Sequence, residues 1–227
     1  MSAKFALLVA LALCGCLAAN AAYLRGIDVS NYQGHVDWAA VKNSGISFAI
    51  CKATEGLTYN DPTLAANWAG MHANGLVRGA YHFGHPGSSA IDQARFFVHA
   101  VTGAGGFHNS SSLQLVLDLE TTDGQSPAQV WAWVQAFMGE IQSLTGRPGI
   151  IYVGYYFWKD NVGNPTNNLN APLWVAAYTA SPLVPPAWSG FTFWQYTDAG
   201  SVPGVAGNVD SDYFAGTAQN LQALCIP

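Results

Sequence analysis

The chain has 227 residues, half of them apolar, with eight Lys and Arg against 13 Asp and Glu and a formal net charge of -5. That composition excludes a disordered tail and a basic nucleic-acid binder. It also removes long-range attraction toward an anionic polymer, so a partner of that kind has to be held by short-range contacts.

Residues 7–17 form an apolar run behind Lys4, and the row continues LAANAAY. This is the layout of a secretory signal peptide, residues 1–21, with a small-x-small cleavage site after Ala21. The run is too short for the ~20 residues that span a bilayer, so a secreted, extracellular protein without a membrane anchor is expected. Residues 22–227 then make one domain of ordinary size. Two cysteines stay with it, Cys51 and Cys225. In an oxidising compartment a disulfide could tie the chain end to an early strand; the other reading is two unpaired thiols. Asn109-Ser110-Ser111 is a glycosylation sequon.

From Leu24 onward, short β-rich runs alternate with helix-like stretches, the pattern of βα units around a parallel sheet. The runs are residues 24–30, 48–55, 76–83, 113–120 and 149–156. Between them, a turn or two of helix is expected near Asp37 to Val41. Asp61-Pro62 reads as an N-cap with proline at N1 ahead of Leu64, Trp68 and Met71, with Gly75 as the left-handed stop. Ser89 with Asp92, and Ser126-Pro127 with Gln129, read as capping boxes for two longer helices. After Tyr156 the strand-like runs 173–179, 191–197 and 207–214 are separated by Pro-, Gly- and Asn-rich segments that cannot make long helices. About eight strands with helices only in the first part fit either an open doubly wound sheet or a barrel that has lost its later helices. A full (β/α)8 barrel usually needs ~250 residues.

Only 9% of residues are charged, against ~25% in ordinary globular chains, so their placement carries information. Asp28 ends the first run, Glu55 the second, Asp118 and Glu120 the fourth, and Asp210 lies in the last. In a parallel barrel the carboxyl ends of the strands converge on one face, where active sites form. Asp118 and Glu120 are two apart, so on a strand they share a face roughly 6–7 Å apart. Two neighbouring carboxylates disfavour double ionisation, which can keep one of them an acid near neutrality. The plainer reading caps a helix with one of them or pairs it with Lys52 or Arg78.

Eight Trp and 10 Tyr accompany these acids, and aromatic faces with polar tips suit sugar rings in a wet groove. Tyr32, Tyr81, Tyr178 and Gln195 are groove candidates, with Tyr155 and Trp174 near later strand ends. Trp68, Trp131 and Trp133 are assigned to packing. His82 is expected near the acids as a hydrogen-bond partner. No HExxH, CxxC, GxSxG or phosphate-loop motif occurs, so neither metal nor cofactor is expected.

Six ordered segments, RGIDVSNYQG (25–34), CKATEG (51–56), GAYHF (79–83), LVLDLE (115–120), FWQYT (193–197) and GNVDSDYF (207–214), together resemble the glycoside hydrolase family 25 lysozymes, the Chalaropsis-type muramidases. The resemblance implies an α/β fold, a TIM-like barrel of (β/α)5(β)3 form. It further implies cleavage of the β-1,4 bond between N-acetylmuramic acid and N-acetylglucosamine in bacterial peptidoglycan. Matched position by position, Asp28, Asp118, Glu120 and Asp210 take the family's acidic positions and Glu55 its KATEG glutamate. Cys51 stands where many relatives carry another residue. Glu120 is expected as the proton donor and Asp118 as the group that steadies the substrate's 2-acetamido group during a retaining cleavage. A monomer acting on peptidoglycan strands follows, with a chitinase-like glycosidase and a non-catalytic carbohydrate binder as the competing readings.

Overall fold

The computed structural model describes residues 23–107 and 111–227. The expected signal segment and Asn109 lie outside the described residues. The strands are β1 (Leu24–Val29), β2 (Phe48–Glu55), β3 (Tyr59–Asn60), β4 (Val77–Phe83), β5 (Val116–Asp118), β6 (Ile150–Gly154), β7 (Leu173–Ala176), β8 (Phe193–Gly200) and β9 (Val209–Phe214). The helices are α1 (Trp38–Asn43), α2 (Leu64–Ala73), α3 (Ala90–Gly103), α4 (Pro127–Thr145), α5 (Tyr155–Asn161) and α6 (Ala218–Ala223).

Eight of these strands close on themselves in the order β1-β9-β8-β7-β6-β5-β4-β2, with β1 pairing β2 to seal the ring and β3 added outside as a hairpin on β2. The open-sheet reading is therefore eliminated, and five βα units followed by three strands make a (β/α)5(β)3 barrel. The barrel is not wholly parallel, because β9 runs antiparallel to both β8 and β1. Nor are helices confined to the first part. The run 149–156 ends its strand at Gly154, and Tyr155 begins α5. The aromatic string there looks β-like, but a helical turn lets Trp158 bury completely against Trp131 and Trp188. Packing overrides local preference at this point.

Caps explain most helix starts. Asp37 accepts from the backbone N–H of Ala39 and Ala40, Ser89 from Asp92, and Ser126 with Gln129 forms a reciprocal box. Gly75, at φ +65, ends the α2 segment in the left-handed conformation. The α2 start differs from expectation. Asp61 spends its Oδ1 on Thr63 N (2.8 Å) and its Oδ2 on Asn31 N (2.9 Å). It ties two loops together while Thr63 becomes the N-cap.

Period-two alternation sorts each strand between two cores. Phe48, Ile50, Val116, Ile150, Tyr152, Trp174, Phe193 and Phe214 fill the barrel interior. Ile27, Ala49, Leu117, Ile151, Val153 and Val175 face outward, packing with Trp68, Phe97 and Phe137 of the helices. A Cβ on Gly26 would stand 2.2 Å from the Phe48 ring, so glycine is what admits that ring to the interior. At the base, Leu221 and Cys225 join the inner core while Ile226 N–H bonds Ser112 O at 2.7 Å. Cys51 lies in the outer core and Cys225 in the inner one, and both are free. The disulfide expectation is thus overturned by the wall between them. Burial raises both thiols, Cys225 to about 11. Among the described residues no helix is long and apolar enough to cross a membrane.

Candidate active site

The short strand β5 delivers the acid pair. Leu117 and Leu119 are fully buried on the outside, which turns Asp118 into the barrel and leaves Glu120, two residues on, exposed at the rim. Asp118 is only 7% exposed. Burial, then the charge and hydrogen bond of Glu120 beside it, hold its carboxyl well above the usual range; Lys52 acts in the opposite direction.

A second acidic group faces them from the β1–β9 seam. Because β9 is antiparallel, its first residues lie at the same mouth as the last residues of β1, and Asp28 pairs in register with Asp210. Asp212, two residues further, is fully buried and accepts from Trp174 Nε1 at 2.9 Å. Burial, followed by repulsion from Asp212 and Asp210, raises Asp28 well above its ordinary value, and burial does the same for Asp212.

Gln195 joins the two groups. Its Nε2 donates to Asp28 Oδ2 at 2.8 Å, and its Oε1 accepts from Tyr152 Oη at 2.8 Å and Tyr178 Oη at 3.0 Å. Tyr152 is the β6 neighbour of Asp118. One hydrogen-bonded chain therefore runs from beside the acid pair to Asp28.

Tyr81, Asp118, Glu120, Tyr152 and Trp174 meet at a small hollow of about 30 Å³. Above it Glu120, Tyr152, Phe157 and Tyr178 line a cleft of about 240 Å³. The cleft continues past Gly154, Phe157, Ala176 and Ala177 into an apolar bay of about 320 Å³ bounded by Tyr155, Tyr156, Thr179, Ser181 and Leu183. A larger hollow of about 690 Å³ between α1 and α2 is lined by none of Asp28, Asp118, Glu120, Asp210 and Asp212.

The structure brings together Asp28, Asp118, Glu120, Asp210, Tyr81, Trp174, Tyr178 and Gln195. Trp174 is 2% exposed and so forms the floor of the site rather than an open stacking face. Tyr155 lies in the adjoining bay, and Tyr32 stands 88% exposed on the turn after β1. Glu55 sits at the rim in ion pairs with Lys52 and His85. His82 is a correction. With Tyr81 pointing in, His82 points out and is sealed between Phe97 and Phe137, bonded to Thr54 and Gln93. Burial lowers it to about 4, so it stays neutral and takes no part in the acid cluster. Arg78 is likewise buried on Ser112, Trp68 and Gly106. Tyr152, Phe157 and Asp212 belong to the site without having been singled out. The Asp210-x-Asp212 spacing carried the same signal as Asp118-x-Glu120.

Residues 27–205 match the model of glycosyl hydrolases family 25. Lysozyme M1 of Streptomyces globisporus is 39% identical over 216 residues, covering 91% of this chain and 72% of that protein. The N,O-diacetylmuramidase of Arthroderma benhamiae is 35% identical, covering 89% of this chain and 87% of its own length. The crystal structure of a lysozyme from Streptomyces coelicolor superposes with a TM-score of 0.85 at 36% identity, covering 91% of this chain and 98% of that one.

Proposed function

The chain belongs to glycosyl hydrolases family 25 and is a glycosidase, and from that premise we propose that it is a muramidase acting on bacterial peptidoglycan. The bond cleaved is the β-1,4 linkage between N-acetylmuramic acid and N-acetylglucosamine. The observation that carries the reading is the pairing of a buried Asp118 with an exposed Glu120 at the head of an aromatic cleft.

Breaking an acetal needs a proton on the departing oxygen and relief of positive charge at the sugar carbon. Glu120, at the rim, donates the proton. Asp118, deeper and beside it, orients the 2-acetamido group as that group attacks, so the anomeric configuration is retained overall. Asp28 and Asp210 face the pair from the opposite wall and hold the sugar, with Gln195 fixing Asp28. The enzyme works outside the cell as a monomer without a cofactor.

Digestion of purified peptidoglycan tests this directly. New reducing ends on muramic acid are expected; ends on glucosamine would overturn the bond assignment. Glu120→Gln should lower turnover about 10²- to 10⁴-fold in a folded protein, and NMR of the first product should show the β anomer. Near-normal turnover removes the acid role, and an inverted first product removes the retaining step.

A further inference from the structure

Lys52 and Glu55 are three residues apart, a spacing that puts side chains on opposite faces of a regular strand. The β2–β4 register slips between Lys52 and Thr54, and Ala53 turns into the outer core. Bulges of this kind re-aim side chains beside active sites. Here it lets Lys52 Nζ meet Glu55 Oε2 at 2.5 Å. The ammonium also lies 5.4 Å from the Tyr59 ring and 5.3 Å from the Phe83 ring. Phe83 is the strand partner of Asp118.

Behind this pair stands a chain of alternating charge. Glu55 Oε1 is 3.3 Å from His85 Nε2, and His85 Nδ1 is 3.0 Å from Asp123 Oδ1. With a carboxylate at each ring nitrogen, the doubly protonated imidazolium is the form that both contacts favour. Partial burial opposes that charge, yet Glu55 and Asp123 outweigh it and raise His85 above its ordinary range. Asp123 is itself anchored by Gly87 N–H at 3.0 Å. It occupies the left-handed region at φ +48, where a non-glycine residue is held only by its surroundings.

We propose that Lys52 is a positioning residue that supplies the acid pair with a neighbouring positive charge, and that the chain Asp123–His85–Glu55 fixes where that charge stands. Asp118 is faced by Glu120 just past the end of its own strand, by Lys52 and Glu55 on β2, by Tyr81 on β4 and by Tyr152 on β6. Lys52 is the cation in that company. Its role rests on the muramidase reading: Asp118 works beside the proton donor, and a nearby cation lowers the pH at which its carboxyl gives up a proton.

The test combines carboxyl NMR titration of Asp118 in the free enzyme with pH profiles of glycan hydrolysis. In Lys52→Met both the Asp118 midpoint and the activity limbs should move to higher pH by roughly 0.5–1 unit. Lys52→Arg should restore them, and His85→Gln should shift them the same way by less. Reduced turnover with an unmoved midpoint and profile in Lys52→Met would mark a merely structural lysine and overturn the proposal. If Lys52→Met fails to fold, His85→Gln carries the same test, since that ring is 34% exposed; an unmoved midpoint there is equally fatal. The titration uses no substrate, so its failure leaves the muramidase reading intact. Glucosamine reducing ends, by contrast, remove that reading without touching the titration.

Discussion

Replacing Gln195 with leucine removes three hydrogen bonds from the barrel wall at once. Gln195 is 3% exposed, and two of its partners, Tyr152 and Asp28, are buried as well. Tyr178 is 54% exposed and can turn to water, so its loss counts for little. An orphaned buried hydroxyl costs ~1–3 kcal/mol, and a bond to an ionised carboxylate is worth ~1.5–3 kcal/mol. Above the pH at which Asp28 ionises, Gln195→Leu should therefore destabilise by about 3–5 kcal/mol. At 2–4 °C per kcal/mol for a domain of this size, the midpoint should fall by roughly 6–20 °C. At pH 4, where the raised Asp28 carboxyl keeps its proton, only the tyrosine part remains and the fall should be smaller. Thermal unfolding followed by circular dichroism at both pH values measures this. A loss below about 2 °C at high pH would refute the bridging role of Gln195. Equal losses at both pH values would refute the part assigned to Asp28.

Two further outcomes follow from the same geometry. Asp28, Asp118 and Asp212 all have raised carboxyls in the folded state. Each therefore binds its proton more tightly folded than unfolded, and stability should fall as pH rises from the ordinary carboxylate range through the folded values. His85, also raised, loses its contribution as pH climbs through its folded value, whereas His82, lowered to about 4, adds stability between there and its ordinary 6.5. Above the ordinary histidine range, where His82 has nothing more to add, the midpoint temperature should hold or decline, and a steady rise from pH 7 to 9 would contradict the burial argument. In the bay, Tyr156→Ala removes a 65% exposed ring from the wall that continues the cleft. KM for long glycan strands should rise about fivefold, the equivalent of ~1 kcal/mol, with no change for a short chromogenic substrate; equal effects on both would show that the bay holds no sugar.

Much of the barrel was legible because strand alternation and caps are local. Leu117 and Leu119 outside Asp118 and Glu120, the Ser126–Gln129 box and the Gly75 stop needed no knowledge of distant partners. What escaped depends on distant contacts. The end of the strand-like run 149–156 is helical from Tyr155 on because Trp158 finds Trp131 and Trp188. His82 is expected beside the acids as a hydrogen-bond partner, yet it follows the inward Tyr81, and one step along a strand reverses the face. The Lys52–Glu55 pair was hidden by a bulge, since regular alternation separates residues three apart. Tyr152 acquired its importance through Gln195, 43 positions away. The acids themselves stood out because charge is so scarce in this chain.

The seam between β1 and β9 joins the earliest and latest strands of the described chain. The first of the described strands contributes Asp28, and its partner Asp210 comes only with β9, the last of them to be translated. Until then β1 has an unpaired edge, and Gln195 alone cannot close the circumference. A nascent chain stalled before β9 would carry Asp118 and Glu120 without Asp210 opposite them. In this topology the acidic mouth is complete only once β9 has closed against β1.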